Sequence, residues 1–237
     1  NRPDSQPEVR LNLSVEENSI KIPDYSLDVS QLAGTIIFDT LTGLESSGLN
    51  GQLFGRPVDL ELSSQVNSGD IENIFVKAVG AGARDELIAW PQQSVFVKNV
   101  LSKAEGDLDY SARLSLDQKE DSKVGTTLVI DSALEGTSLN LPQPFGKLAR
   151  AETDLHIEMQ FGNKQSITGS FGENLQFELS MQDDAVNDGV VYVGSNDAPI
   201  SALSVKDEDG VIIIGELDRF VLEEWTAFLP ELFGTTN

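Results

Sequence analysis

A strict alternation of apolar and polar residues constrains the fold of this chain more than any other feature of its sequence. Residues 58–62 read VDLEL, and the same period of two recurs at residues 110–116, 155–161 and 175–181. Successive side chains of a β-strand point to opposite faces of the sheet, so each of these segments predicts a strand with one apolar and one solvated face.

Short turn signals separate the strand segments. Asn50-Gly51, Ser68-Gly69-Asp70, Asn187-Asp188-Gly189 and Asp209-Gly210 are typical of hairpin connections. Strands joined by tight turns pair with their sequence neighbours, and little sequence is left for the crossovers that parallel strands need. The fold class predicted from these patterns is therefore all-β, an antiparallel meander with a few short helices.

Helical signals are confined to three short segments. Residues 84–90 (RDELIAW) predict a short helix that ends before Pro91. Residues 142–150 predict another short turn, and residues 222–229 predict a helix that Pro230 stops. We therefore expect a helix content well below the third of residues that is usual in globular proteins.

One sequence pattern occurs twice without gaps. Residues 54–62 (FGRPVDLEL) and residues 171–179 (FGENLQFEL) share Phe-Gly, two variable residues and an amphipathic segment that ends in Glu-Leu. Self-similarity of this kind is a signature of repeat architectures. We therefore predict a single β-rich segment over residues 1–237 that contains two repeated β units, at approximately residues 32–117 and 124–229.

The charge balance argues against several classes of partner. The chain has 39 acidic and 16 basic residues, which give a formal net charge of −23. Phosphate backbones are bound by clustered Lys and Arg side chains, so we expect no nucleic acid partner. Adsorption on anionic lipid headgroups is disfavoured for the same reason. No window approaches the roughly 18 consecutive apolar residues of a transmembrane helix, so we predict no membrane-spanning segment in this chain.

The sequence offers little for catalysis or metal binding. It has no cysteine and one histidine, His156, which alternation places on the polar face of its strand. Thiolate chemistry and histidine-rich metal sites are therefore excluded. The acidic segments at residues 183–189 and 207–210 lack the ligand spacing of calcium loops. The number of carboxylates alone does not exclude the catalytic pair of a glycosidase, but the aromatic residues that would stack on a sugar are scattered. We predict a non-catalytic protein without a cofactor or a metal ion.

The amphipathic strands together leave one apolar face that has to be covered. A second sheet, closure of the sheet on itself, or a ligand would each remove it from water. The few helical segments provide no obvious cover. A closed β-sandwich that buries the face on itself is the simplest solution, and a bound ligand is the other.

Three motifs in the chain together resemble the YhdP family of AsmA-like (TamB- and AsmA-type) proteins. The first is a strand pattern at residues 34–39 (GTIIFD), 43–44 and 49–58 (LNGQLFGRPV). The second, LNLPQPFGK at residues 139–147, is similar to the family's L-x-L-P-x-P-[LF]-x-K turn. The third is GVIIIGEL at residues 210–217, followed by the helical pattern of residues 220–229. The motifs stand in the family's order.

The resemblance implies a fold, a location and a function. Members of the family form extended, twisted, groove-like (taco-shaped) β-sheets in the periplasm of Gram-negative bacteria, tethered in the inner membrane by a helix that lies outside these residues. The acyl chains of phospholipids would pass along the apolar interior towards the outer membrane. The side chains expected to line this groove are Val58, Leu60, Leu62, Tyr110, Leu114, Leu155, Ile157, Met159, Leu175, Phe177 and Leu179.

A second function is compatible with the same strand pattern. In this alternative the chain is a closed β-sandwich that serves as a scaffold or adhesion module and binds another envelope protein. The two hypotheses differ in what covers the apolar face, which is lipid in the first case and a second sheet in the other.

Overall fold

A single sheet of twelve strands makes up most of the protein. The computed structural model describes residues 8–23, 26–91, 95–117, 125–162, 165–182, 185–194, 210–217 and 221–233. Most of the described residues lie in strands and only a small part in helices, which confirms the all-β class. The strands are β1 (Arg10–Ile22), β2 (Leu27–Asp39), β3 (Gly43–Leu53), β4 (Arg56–Asn67), β5 (Asp70–Ala83), β6 (Ala104–Glu105), β7 (Asp107–Asp117), β8 (Thr127–Ser132), β9 (Ser138–Leu139), β10 (Leu155–Gln160), β11 (Gln165–Phe171), β12 (Leu175–Gln182), β13 (Ala185–Val193) and β14 (Gly210–Gly215).

The sheet is an open meander with β1 and β14 at its two edges. The spatial order follows the chain order, β1-β2-β3-β4-β5-β7-β8-β10-β11-β12-β13-β14, while β6 and β9 form a separate two-stranded ribbon. All neighbouring pairs are antiparallel except the last, because β14 runs parallel to β13. A parallel neighbour requires a connection of about a dozen residues or more, and residues 194–209 between the two strands are long enough. The described residues contain no second large sheet, so the closed sandwich is not formed by them.

The helices lie at one end of the sheet. They are α1 (Arg84–Ala89), α2 (Val95–Leu101) and α3 (Leu222–Phe233). The first two follow β5, and the third follows β14, whose last residue pairs with the last residue of β13. The β6–β9 ribbon belongs to the same end, because β6 directly precedes β7 and β9 follows the end of β8. We call residues 84–91, 95–106, 133–154 and 221–233 the end cap.

Deep burial is also concentrated towards the end cap. One cluster consists of Val29, Leu32, Leu49 and Val58, and the other of Ala104, Leu134 and Leu139. Leu32 and Ala104 are fully buried, whereas most apolar side chains in the middle of the sheet are only partly buried. A sheet packed against a second layer buries its inner side chains on every strand, so this distribution is that of a sheet with one open face.

Two of the predicted turns are wrong. Asn50-Gly51 lies inside β3 and Asn187-Asp188-Gly189 lies inside β13, whereas Ser68-Gly69 does join β4 to β5. The hairpin between β3 and β4 is made instead by Phe54 and Gly55, with φ of 50° and 71°. Positive φ at both central residues is what a two-residue hairpin turn of this hand requires. Asp209 lies outside the described residues, and Gly210 begins β14.

The helix predictions have mixed outcomes. The predicted helix at residues 84–90 is confirmed as α1. Residues 142–150 contain the predicted short turn, in which Phe145 N donates to the carbonyl oxygen of Pro142 at 3.0 Å, but no helix. The last helix continues through Pro230 to Phe233, so the prediction that Pro230 stops it is wrong. The sequence analysis missed α2, which is only seven residues long.

Candidate functional site

The candidate site is one face of the twelve-stranded sheet, which we call the apolar face. Residues paired across neighbouring strands point to the same side of a sheet, so the registers show which side chains share a face. The first row of paired residues, the central row, crosses ten strands from β3 to β14 and consists of Leu49, Leu60, Ala78, Ala112, Ile130, Ile157, Gly169, Phe177, Val191 and Ile213. Each of its members is apolar or glycine.

A second row lies beside the central row, nearer the end of the sheet that has no helices. It runs from β4 to β14 and consists of Leu62, Val76, Leu114, Leu128, Met159, Ile167, Leu179, Gly189 and Val211. Again no polar side chain interrupts it. With strands about 4.8 Å apart, the central row extends over about 43 Å, and the two rows are about 6.7 Å apart along each strand.

The structure places all of the groove residues predicted from sequence on this one face. Leu60, Ile157 and Phe177 belong to the central row, and Leu62, Leu114, Met159 and Leu179 belong to the second row. Val58, Tyr110, Leu155 and Leu175 lie two positions nearer the end cap on the same strands, and therefore on the same side. The apolar residues of the two copies occupy matching positions, since Leu60 and Phe177 both lie in the central row and Leu62 and Leu179 in the second row. The preceding turns differ, because Phe54 lies in the turn before β4 whereas Phe171 is the last residue of β11.

Sequence reasoning missed a large part of the face. The omitted residues include Val29 and Leu32 of β2 and Leu128 and Ile130 of β8. The register irregularities of β2 break the alternation at residues 30–35. In β8 the polar-face position between Leu128 and Ile130 is also apolar, Val129, so the strand reads as an unbroken apolar run. Only the cross-strand registers show which of these side chains share the face.

The apolar face is accessible along its length. Both rows from β4 to β13 consist of partly exposed residues, and no second sheet covers them in the part of the chain that the structure describes. At the β14 edge Ile213 is 70% exposed, and at the β1 edge Leu11 is 58% exposed. Contiguous exposed apolar surface of this kind marks an interaction site in soluble proteins.

The end cap covers one border of the apolar face. The side chain of Leu87 in α1 lies directly over Gly82, where a Cβ atom would be 2.9 Å from Leu87 Cδ1. The β6–β9 ribbon packs its buried Ala104 and Leu139 towards Leu155 and Phe171 of the sheet. The cap therefore shields the positions beside the central row on β5 to β11 and leaves the two rows themselves open.

Polar anchors hold the end cap in place. Lys147 is buried, and its Nζ donates to the carbonyl oxygens of Leu134 at 2.6 Å and Thr137 at 2.7 Å. Thr137 Oγ1 in turn donates to the carbonyl oxygen of Asp107 at 2.7 Å. Burial lowers the pKa of Lys147. A buried ammonium has to be paired, so these hydrogen bonds hold the loop at residues 134–137 against Lys147.

The phenol of Tyr110 differs from the rest of the apolar face. Its oxygen is buried and has no hydrogen-bond partner among the described residues. The ring packs against the buried cluster around Val58. Burial raises the pKa of Tyr110 to about 12, because an apolar environment disfavours the phenolate.

The opposite face of the sheet is mainly polar and carries charges of both signs, with Phe75, Val79 and Val129 among its apolar members. On this face Asp131 accepts from Arg113 Nη2 at 2.9 Å and its other oxygen lies 2.7 Å from Nδ1 of His156. His156 is therefore on the polar face, as predicted, but paired rather than simply solvated. A shallow depression of about 430 Å³ lies beside this group, lined by Glu61, Ser63, Phe75, Lys77, Arg113, Ser115, Thr127 and Val129 among others. Its charged side chains are exposed and of mixed sign, so it has no defined ligand chemistry.

The described residues contain no cluster of three or more metal-ligating side chains. None of the helices in the described part of the chain combines the length and hydropathy needed to cross a membrane.

The fold and the site define a class of protein, an open-faced β-sheet protein in which a long apolar face is flanked by an end cap. The family model described as YhdP protein matches residues 2–237, nearly the whole chain, and the chain belongs to the YhdP family of AsmA-like proteins. No curated protein and no solved structure matches the chain.

Proposed function

We propose that the chain is a non-catalytic segment of a bridge-like lipid transport protein, and that phospholipid acyl chains pass across its apolar face. The observation that carries the proposal is the central row, in which ten consecutive strands contribute only apolar residues or glycine. Hydrocarbon is the ligand that such a surface removes from water most favourably, at about 25 cal/mol per Å².

The rows run across the strands, from β3 and β4 at one side to β14 at the other. A chain of hydrocarbon lying along them contacts each strand in turn without meeting a polar side chain. Lipid headgroups would stay in water on the open side, since the net charge of −23 gives them no general electrostatic attraction to the protein. Membership of the YhdP family supports a periplasmic location in a longer protein tethered to the inner membrane, with movement between the inner and outer membranes.

The proposal is tested with a pair of substitutions on β8. Leu128 pairs with Leu114 and Met159 on the apolar face, whereas its neighbour Thr127 pairs with Ser115 and Gln160 on the polar face. Leu128→Glu places a carboxylate in the second row, and Thr127→Glu places the same charge on the opposite side. We expect Leu128→Glu to remain folded, because its carboxylate reaches water over an open face, but to lose co-purified phospholipid.

Native mass spectrometry of the purified proteins measures lipid content, and transfer of a fluorescent phospholipid between phosphatidylethanolamine–phosphatidylglycerol vesicles measures transport. Thr127→Glu should match the unsubstituted chain in both assays. If the unsubstituted chain neither retains nor transfers phospholipid, the lipid proposal is wrong. A role as a scaffold that binds another envelope protein would then be the better hypothesis, and the apolar face would be its protein-binding surface.

A further inference from the structure

Several glycines of the apolar face lie beneath a bulky side chain from a neighbouring segment. A Cβ atom on Gly51 would be 2.9 Å from Val29 Cγ1, and one on Gly82 would be 2.9 Å from Leu87 Cδ1. These two sites are at the border of the face, within the buried clusters or under the end cap. Gly169 is different, because it belongs to the central row, in the open part of the face.

Gly169 of β11 pairs with Phe177 of β12 and with Ile157 of β10. A Cβ atom on Gly169 would be 2.5 Å from Phe177 Cζ and 3.0 Å from Phe177 Cε1. The tip of the phenyl ring therefore occupies the space that any other residue at position 169 would fill. The ring lies across β11, flat on the sheet, instead of standing away from it as side chains in strands usually do.

The φ angle of Gly169 does not require a glycine. Its φ is not in the left-handed region, unlike that of Gly162 or Gly172 on either side of the same strand. Glycine in a strand interior is unfavourable, because it loses more conformational entropy on folding and offers no side chain to pack. Two contacts exclude a side chain here, the Phe177 ring and the carbonyl oxygen of His156 at 2.6 Å from the Cβ position.

We propose that Gly169 is a positioning residue for the lipid path, which keeps the Phe177 ring flat so that the central row stays clear for an acyl chain. This inference rests on the proposed lipid function. Phenylalanine is the largest side chain in the row, so its orientation decides how far the apolar surface projects from the sheet over β11. An upright ring at this position would form a barrier between Ile157 and Val191, the row members on β10 and β13.

The test compares four proteins, the unsubstituted chain, Gly169→Ala, Phe177→Leu and the double variant. Gly169→Ala forces the ring upright, and we expect phospholipid transfer between phosphatidylethanolamine–phosphatidylglycerol vesicles to fall several-fold. Phe177→Leu removes the ring but keeps an apolar side chain in the row, and its own transfer rate is the reference for the double variant. The double variant should recover transfer, because nothing is left at position 177 to obstruct the row.

Thermal unfolding separates this role from a structural one. The contact of the new Cβ with the His156 carbonyl oxygen remains in the double variant. Its melting temperature should therefore stay below that of Phe177→Leu even though its transfer recovers. Transfer that follows melting temperature across the four proteins, or a double variant as slow as Gly169→Ala, would overturn the inference.

A second measurement does not depend on whether Gly169→Ala folds. A phenyl ring this close to Gly169 displaces the Hα resonances of that glycine through its ring current, and Phe177→Leu should abolish the displacement. Unshifted resonances in the unsubstituted chain would overturn the inference, since the ring would not be lying on the sheet. If the unsubstituted chain transfers no lipid while the ring shift is present, the proposed function is the part that has failed, and the inference about a lipid path fails with it.

Discussion

At the scale of single residues, two buried polar groups have opposite environments. The ammonium of Lys147 donates to the carbonyl oxygens of Leu134 and Thr137 in the end cap. The hydroxyl of Tyr110 has no partner among the described residues. An unpaired buried polar group costs free energy, whereas a satisfied one holds its surroundings in a single conformation.

Replacement of Tyr110 by phenylalanine should therefore leave the protein as stable or increase its free energy of unfolding, by about 1 kcal/mol. The substitution removes the unpaired hydroxyl and keeps the ring against the cluster around Val58. Urea unfolding of the two proteins at neutral pH measures the difference. A clear loss of stability would show that the hydroxyl makes a favourable interaction and that its environment is not apolar.

The same residue predicts a pH dependence. Burial raises the pKa of Tyr110 from 10.0 to about 12 in the folded protein, so the unfolded chain releases this proton first as pH rises. The free energy of unfolding is therefore independent of this ionisation below pH 10 and falls as pH rises towards 12, because the unfolded chain ionises while the folded protein keeps the proton. Tyr110→Phe should lose less stability than the unsubstituted chain between these two values, as followed by urea unfolding at each pH.

At the scale of elements, α3 is attached to the rest of the end cap by a small set of contacts. Nε1 of Trp225 donates to the carbonyl oxygen of Gln143 at 3.1 Å. The Trp225 ring also lies edge-on to Phe145 at 5.6 Å between ring centroids, and Nζ of Lys103 lies 5.7 Å from the ring centroid of Phe228. The helix itself has 12 residues, and a helix of this length is marginal without tertiary contacts.

Trp225→Ala should detach α3 while the sheet stays folded, because the contacts of Trp225 with Gln143 and Phe145 join the helix to the end cap. Amide hydrogen exchange should speed up in residues 222–230 and change little in β4 and β5. Leu222→Ala on the same helix is the matched control, since Leu222 is 60% exposed, and it should leave exchange in the helix nearly unchanged. Faster exchange throughout the sheet would instead make α3 part of the global folding unit.

The elements also show what the sequence could and could not specify. Alternation at residues 58–62, 110–116, 155–161 and 175–181 correctly identified strands β4, β7, β10 and β12 and the side of each that is apolar. Alternation has no information about which strands are neighbours, so the parallel pairing of β14 was not foreseen. The Asn50-Gly51 signal failed because the neighbouring Phe54-Gly55 adopts the turn. Whether residues 32–117 and 124–229 are true repeats stays a prediction.

At the scale of the whole molecule, the open face makes stability depend on what is bound. A ligand that binds only the folded sheet raises the free energy of unfolding by mass action. Removal of lipid from the purified chain should lower its melting temperature, and phospholipid added back in detergent-free form should restore it. A chain whose melting temperature is indifferent to lipid would have an apolar face that lipid does not occupy.

The parallel pairing of β13 and β14 has a consequence for the route of the chain. A tight hairpin after Val193 would send β14 towards the opposite end of the sheet and deliver the final helix there. The parallel register instead ends β14 at Gly215, beside Val193. The chain therefore leaves the sheet at the end where α3 contacts α2 and the turn at Gln143. The direction of a single edge strand therefore determines at which end of the sheet the last helix of the chain lies.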